Sequence, residues 1–281
     1  MINIAGAFKK SHILIPFLLK NKNIEMCFYD GVNFCRWNGG RINENNNFNS
    51  KIFDFYNKYD KGVFLAFSNR FIDNLKDPVG NELLNILNSN NINGVIICNE
   101  SLRLYIKEKY QNLKLIYSIT GHPSEVTVNN ELLRYYKELE LKYDLIVPRF
   151  EMVFNEFFIK NINPKKYEIM LNDTCLFGCS LWRKHFDRIA ELNRKFGNPY
   201  EFFDNNEMKK IGGCWLKDFD PEVGSSGDRE KHGDCLGMDL SPTAIKNAKK
   251  IGYCNWKISG RENGDELFKK DIEWYTKIVL N

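Results

Sequence analysis

Short apolar runs rich in β-branched and aromatic residues recur along this chain, separated by more polar segments. Most of the runs are continuously apolar, which is the pattern of strands that are covered on both faces. Eight runs predict strands, at residues 24–29, 63–67, 94–98, 114–118, 145–147, 168–171, 235–238 and 253–258.

The segments between the runs carry apolar residues at helical spacing, most clearly at 81–87, 102–110 and 130–141. Ser241 followed by Pro242 is a helix-start signal, and Gly252 is a helix-stop signal. Strands that alternate with helices predict an α/β fold, a (β/α)8 barrel of the TIM type with parallel strands. We expect one TIM-barrel-like domain over residues 1–281, a length typical of such barrels.

Two connections are longer than the rest, at residues 31–61 and 181–234. Each follows the carboxyl end of a predicted strand, where barrels build their active sites. Long connections at that end usually carry functional residues. We therefore interpret residues 175–235, after the sixth predicted strand, as an insertion that contributes to the site.

Charge and hydropathy exclude some functions. The 40 basic and 36 acidic residues give a net charge of +4, which is too balanced to indicate a nucleic-acid partner by itself. No apolar stretch reaches the roughly 18 residues that a membrane helix needs, and the first residues lack a signal-peptide pattern. We expect a cytoplasmic protein without membrane association, whose eight cysteines stay reduced and available to metal.

A pair of cysteines marks the candidate chemistry. Cys175 and Cys179 are separated by three residues and follow the strand predicted at 168–171 and Asn172. Two sulfurs at this spacing just past a strand can point into one volume, which suits a metal or an iron-sulfur cluster. Two packed thiols are an equal alternative, because cysteine is also a common buried apolar residue.

Two segments carry a resemblance to a known family. The sequence NDTCLFGC followed by WRKHFD, and the later segment LSPTAIKNAKKIGYCNWKISGR at 240–261, resemble motifs of the collagenase-like (U32-type) peptidase family. The two matches occur in the family's order, which is harder to obtain by chance than either match alone. Weaker similarity extends to the N-terminal part, chiefly at residues 39–41.

The resemblance implies a 4Fe-4S cluster held by four cysteines, as in several members of the family. It transfers directly to Cys175 and Cys179 only. A cluster needs about four thiolates, and we predict the complete ligand set as Cys175, Cys179, Cys214 and Cys235. Cys27 or Cys35 could replace one of these ligands. Zinc bound by the same four sulfurs is the alternative cofactor, since tetrahedral thiolate sites suit both.

Polar residues at the predicted strand ends complete the candidate site. His122 could act as an acid or base near neutral pH, and the resemblance implies a role near the substrate or cluster for His185. We predict Asn172, His122 and His185 as catalytic residues. The predicted substrate-binding residues are Arg41, Asn69, Arg149, Glu151, Lys257 and Arg261.

The sequence offers little support for hydrolysis, because no nucleophile with a paired base and no HExxH motif is recognised. The branches of the family that it resembles imply an iron-sulfur enzyme of the oxygen-independent hydroxylation type. Its substrate would be a small molecule or RNA, and an electron donor or a related partner subunit would assist. The alternatives are a collagenase-like peptidase and a noncatalytic binding protein stabilised by zinc or a cluster.

Overall fold

A computed structural model describes residues 1–39, 46–123, 128–172, 182–196 and 239–281. Eight short strands among these residues form one sheet. The strands are β1 (Ile2–Ala5), β2 (Met26–Asp30), β3 (Val63–Phe67), β4 (Gly94–Ile97), β5 (Lys114–Tyr117), β6 (Leu145–Ile146), β7 (Glu168–Met170) and β8 (Asn255–Ile258).

The sheet is a nearly closed parallel barrel. Its strand order is β6-β5-β4-β3-β2-β1-β8-β7, and every pair of neighbours runs in parallel. A parallel bridge between Ile146 and Tyr167 joins the two ends of this order. The predicted (β/α)8 barrel of the TIM type is therefore confirmed.

The strand list needs one correction. β1 was not among the predicted strands, although it lies in the sheet between β2 and β8. Its four residues include the polar Asn3, which interrupts the apolar run that would have marked a strand. The strand predicted at 235–238 lies outside the described residues, and β7 pairs directly with β8.

Helices follow most strands, as the pattern predicts, and the predicted segments at 81–87, 102–110 and 130–141 are helical. The described helices are α1 (Ser11–Lys20), α2 (Ser50–Lys58), α3 (Pro78–Leu87), α4 (Glu100–Lys109), α5 (Asn130–Lys142), α6 (Phe150–Val153), α7 (Glu156–Ile159), α8 (Trp182–Phe196), α9 (Pro242–Ile251) and α10 (Asp265–Leu280). Helix α8 belongs to the predicted insertion at 175–235, whose other residues lie outside the described part.

Asparagine has a specific structural use in this chain. The side chains of Asn49, Asn99, Asn129 and Asn155 each accept a hydrogen bond from a backbone N–H in the first turn of the helix that follows. These bonds satisfy donors that have no partner within the helix. Part of the high asparagine content is thereby explained by helix starts.

The barrel interior is mainly apolar. Buried side chains from five strands fill it, namely Tyr29, Phe64, Ile96, Ile116 and Met170. Three buried polar side chains, Asn3, Glu168 and Lys257, lie among them and bond to one another. A second, larger apolar layer packs between the strands and the surrounding helices.

Within the part of the chain that the structure describes, every helix is either too short or too polar to cross a bilayer.

Candidate active site at the carboxyl end of the barrel

All eight strands point the same way, so their carboxyl ends open at one face, here called the barrel mouth. Active sites of this fold are built at that face. Helix α8 lies against it, because Trp182 packs with the interior residues Val147 and Met170 and Asn69 donates to the carbonyl of Ala190 at 2.8 Å. The side chains that follow the strand ends are Asp30, Asn69, Thr120, Arg149, Asn172 and Arg261.

Arg149 and Glu151 form a two-point ion pair after β6. Nε and Nη2 of Arg149 donate to the two carboxylate oxygens of Glu151 at 3.1 and 2.7 Å, and Nη1 donates to the carbonyl of Pro123. Burial raises the pKa of Glu151, but the hydrogen bonds and the positive charge of Arg149, together with a backbone hydrogen bond, hold the pKa below its ordinary value. The guanidinium lies 5.1 Å from the Trp182 ring centroid, so this pair forms one wall of the mouth.

His122 is fully buried after β5. Its Nε2 lies 2.8 Å from the carbonyl of Val147, so this nitrogen carries the proton, and Nδ1 accepts from the hydroxyl of Tyr135 at 3.3 Å. Burial lowers the pKa of His122 to about 3, against the opposing hydrogen bond to Val147. The ring is therefore neutral at neutral pH, where its two nitrogens hold β5, β6 and α5 together.

Asn172 links the ends of β7 and β8. Its Oδ1 accepts from the backbone N–H of Ser259 at 2.7 Å, and the hydroxyl of Ser259 donates to the backbone carbonyl of Asn172 at 2.6 Å. Its Nδ2 lies at longer distance, 3.5 Å, from Asp271. The amide thus fixes where the chain leaves β7, immediately before the cysteine pair.

Arg261 is held by Asp30 at the junction of β2 and β8. Its Nη1 lies 3.2 Å from Oδ1 of Asp30, and both side chains are buried. Asp30 also accepts from the backbone N–H groups of Phe8 and Gly31 at 3.1 and 3.0 Å. Together these bonds hold the loops after β1, β2 and β8 to one carboxylate.

The other predicted binding residues are also engaged. Asn69 is buried, donates to the carbonyls of Arg36 and Ala190, and accepts from the N–H of Phe71. Lys257 lies inside the barrel, with its Nζ 3.1 Å from Glu168. Through these contacts, Asn69 and Lys257 both stabilise the barrel and its loops.

His185 lies on α8 and is half-buried, with its ring stacked on Phe186 at 5.8 Å between centroids. Five predicted site residues lie outside the described residues: Arg41, Cys175, Cys179, Cys214 and Cys235. Of the alternative ligands, Cys27 is buried in the barrel interior and Cys35 in the loop after β2. The role of all these residues stays a prediction.

Sequence reasoning did not select Arg183 as a site residue. Its guanidinium carbon lies 4.8 Å from the Trp182 ring centroid, on the ring that Arg149 also contacts. It also donates to the carbonyl of Thr120 after β5. The usable signal was the Trp-Arg step directly after the cysteine pair, since an aromatic and a basic residue at a strand exit indicate a binding surface.

No family model and no curated protein matches the sequence. Among solved structures, a U32 peptidase matches with a TM-score of 0.52 and 10% sequence identity over 92% of this chain and 92% of that chain. The protein is therefore a (β/α)8 barrel with a polar mouth. It shares the fold of a U32 peptidase, the type of protein that its sequence motifs resemble.

Proposed function

We propose that this protein is a U32-type enzyme in which Cys175, Cys179, Cys214 and Cys235 hold a 4Fe-4S cluster at the barrel mouth. Its reaction would be the oxygen-independent hydroxylation of a small-molecule or RNA substrate, in which a second, oxygen-donating organic substrate would be reduced by two electrons as the first is oxidised. An electron donor that sets the redox state of the cluster, or a related partner subunit, would assist. The two sequence motifs and the shared fold support the family, and the fold likeness supports an enzyme-like protein.

The observation that carries the proposal is where the chain leaves and re-enters the described residues. The backbone N–H of Leu240 donates to the carbonyl of Leu171 at 2.8 Å, so residues 239–240 return to the end of β7. Cys175 is three residues after Asn172, Cys179 is three residues before Trp182, and Cys235 is four residues before Asp239. Because a residue spans at most about 3.6 Å, these short separations in sequence from described residues at the mouth support the choice of these three cysteines as ligands.

Cys27 and Cys35, the alternative ligands, are less suited to the role. Burial raises the pKa of the Cys27 thiol and that of the Cys35 thiol far above the ordinary value, whereas a ligand must be a thiolate. Within the described residues, no three His, Cys, Asp or Glu side chains are grouped to hold a metal ion.

A bound 4Fe-4S cluster supplies one-electron transfer. The described residues supply the surroundings. Trp182 and Phe150 are buried in the apolar cluster of the interior, and an apolar surface beside the mouth would strengthen electrostatic contacts there. Arg149 and Arg261 are fixed in ion pairs with Glu151 and Asp30 and hold the loops in register.

Anoxic purification tests the proposal. We expect brown protein with about four iron and four sulfide per chain, and loss of both in Cys175→Ala and Cys179→Ala. Cys254→Ala is the matched control, because this exposed cysteine is at the opposite, amino end of β8. Colourless protein with one zinc per chain would overturn the cluster and favour a zinc-stabilised protein.

Peptide hydrolysis is the second candidate, since the structural neighbour is described as a U32 peptidase. Digestion of gelatin by purified wild-type protein and by Cys175→Ala separates the two functions. Hydrolysis that survives in Cys175→Ala supports the peptidase, whereas hydrolysis absent from both samples removes it.

A further inference from the structure

Arg183 is a buried arginine whose donors are incompletely used. The residue is 9% exposed and lies in the first turn of α8, against the barrel mouth. Its Nη2 donates to the carbonyl of Thr120. Its Nε and Nη1 are enclosed and have no hydrogen-bond partner among the described residues. Buried polar groups are nearly always hydrogen-bonded, so these two nitrogens indicate acceptors that a ligand would bring.

The charge around Arg183 is also incompletely balanced. One carboxylate oxygen of Asp187 lies 3.8 Å from Nε of Arg183 and 3.2 Å from Nη1 of Arg70. Within the described part of the chain, two guanidinium groups therefore share one carboxylate. Burial lowers the pKa of Arg183 more than Asp187 raises it, and Arg70 lowers it further. An additional negative charge at this point would stabilise both arginines.

The nearby ion pair does not supply that charge. Glu151 is occupied on both oxygens by Arg149, at 3.1 and 2.7 Å. Both guanidinium groups lie near the Trp182 ring, Arg149 at 5.1 Å and Arg183 at 4.8 Å from its centroid. Of these two arginines, Arg149 has a carboxylate paired with it at two points, whereas Arg183 shares the carboxylate of Asp187 with Arg70.

We propose that Arg183, assisted by Arg70, binds the oxyanion of a ligand, a carboxylate or a phosphate, at the barrel mouth. A guanidinium presents planar pairs of N–H donors that match both groups. This proposal adds to the proposed function the chemical group of the substrate that is recognised. It rests on the proposed function only in taking the bound ligand to be the substrate. It adds a residue to the substrate-binding residues predicted from the sequence, which did not include Arg183.

Isothermal titration of the full chain with inorganic phosphate and, separately, with acetate tests the site and distinguishes the two oxyanions. We expect Arg183→Gln to weaken binding of the preferred anion roughly 10-fold to 100-fold, the range for a lost hydrogen bond to a charged group. Arg183→Lys keeps the charge without the planar donors and should give an intermediate loss. Arg103→Gln is the matched control, since Arg103 is already paired at two points with Glu100.

The Asp187→Asn variant tests whether Arg183 binds an anion or has only a structural role. Removing the shared carboxylate should increase anion affinity several-fold if Arg183 and Arg70 bind the anion, because the competing negative charge is gone. A structural arginine would give no such gain. Arg70→Gln, at a more exposed position, should weaken binding and covers the case in which Arg183→Gln does not fold.

The iron content of the same samples distinguishes failure of the anion site from failure of the proposed cluster. Arginine-dependent anion binding in protein without iron would overturn the cluster and leave the anion site intact. Wild-type protein that binds neither phosphate nor acetate would overturn the site. Affinities unchanged in both Arg183→Gln and Asp187→Asn would also overturn it.

Discussion

Lys257 Nζ lies 3.1 Å from a carboxylate oxygen of Glu168 inside the barrel, where both side chains are buried. Asn3 donates to the other carboxylate oxygen at 3.1 Å, and the ammonium lies 3.9 Å from the Tyr29 ring centroid. Four strands, β1, β2, β7 and β8, thus meet around one buried ion pair.

Breaking this pair should be costly. Glu168→Gln leaves the Lys257 ammonium buried without a countercharge, and we expect it to lower the free energy of unfolding by about 3–5 kcal/mol. Urea denaturation measures the change. Glu25→Gln is the control, because its carboxylate is 82% exposed and its ion pair with the N-terminus should contribute little. Replacing both buried partners, in Glu168→Leu with Lys257→Met, should recover much of the loss. Wild-type stability in Glu168→Gln would contradict a stabilising role.

His122 should make the folded protein less stable at acidic pH. Its pKa is about 3 in the folded protein and about 6.5 in the unfolded chain, so the unfolded chain binds the proton more tightly between these values. The free energy of unfolding is unaffected by this histidine above about pH 6.5 and decreases as the pH falls towards 3. The loss is about 2 kcal/mol by pH 5. His122→Gln keeps an N–H for the carbonyl of Val147 and should have a flatter pH profile. Parallel profiles for the two proteins would refute the assignment.

Phe34 has an unfavourable backbone conformation. Its φ is +64° and its ring is 61% exposed, so the side chain gains little that would offset the left-handed backbone. Phe34→Asn should raise stability by about 1 kcal/mol, since asparagine tolerates this conformation. Leu104→Asn, an exposed residue in the interior of α4, is the comparison and should lower stability slightly. A loss in Phe34→Asn comparable to that in Leu104→Asn would show that the ring contributes to folding.

At Gly80, an alanine would improve helix propensity but would clash with a neighbouring side chain. Alanine is normally favoured over glycine in a helix by about 1 kcal/mol, but a Cβ at Gly80 in α3 would lie 2.3 Å from the Trp37 ring. We expect Gly80→Ala to lower the thermal midpoint through a net loss of about 1–2 kcal/mol, because overpacking outweighs propensity. Gly264→Ala is the control, since nothing lies within 4 Å of its added Cβ. A rise in the midpoint for Gly80→Ala would mean that Trp37 moves aside readily.

Most strands and helices could be predicted because short sequence patterns determine them. Apolar runs identified seven of the described strands, and the Ser241–Pro242 and Gly252 signals bounded α9. β1 was missed because Asn3, which faces a buried carboxylate, looks like a break in an apolar pattern. The barrel topology then placed Asn172, Arg149 and Arg261 at the mouth.

The partners of those residues could not be predicted. Arg261 and Asp30 are 231 positions apart in sequence, and Arg183 and Thr120 are 63 apart. Such contacts arise when the barrel closes, and no local pattern encodes them. For the same reason, the sequence did not reveal that the Arg149 guanidinium is already neutralised by Glu151 whereas Arg183 and Arg70 share one carboxylate.

The position of β1 in the sheet has a consequence for synthesis of the chain. β1 pairs on one side with β2 and on the other with β8, which begins only at Asn255. During translation, the second edge of β1 exposes unpaired backbone groups until β8 has emerged from the ribosome. Unpaired edges promote association between chains. Ribosome-stalled chains that stop before residue 255 should therefore bind chaperones that recognise exposed strands, and should release them once β8 is added.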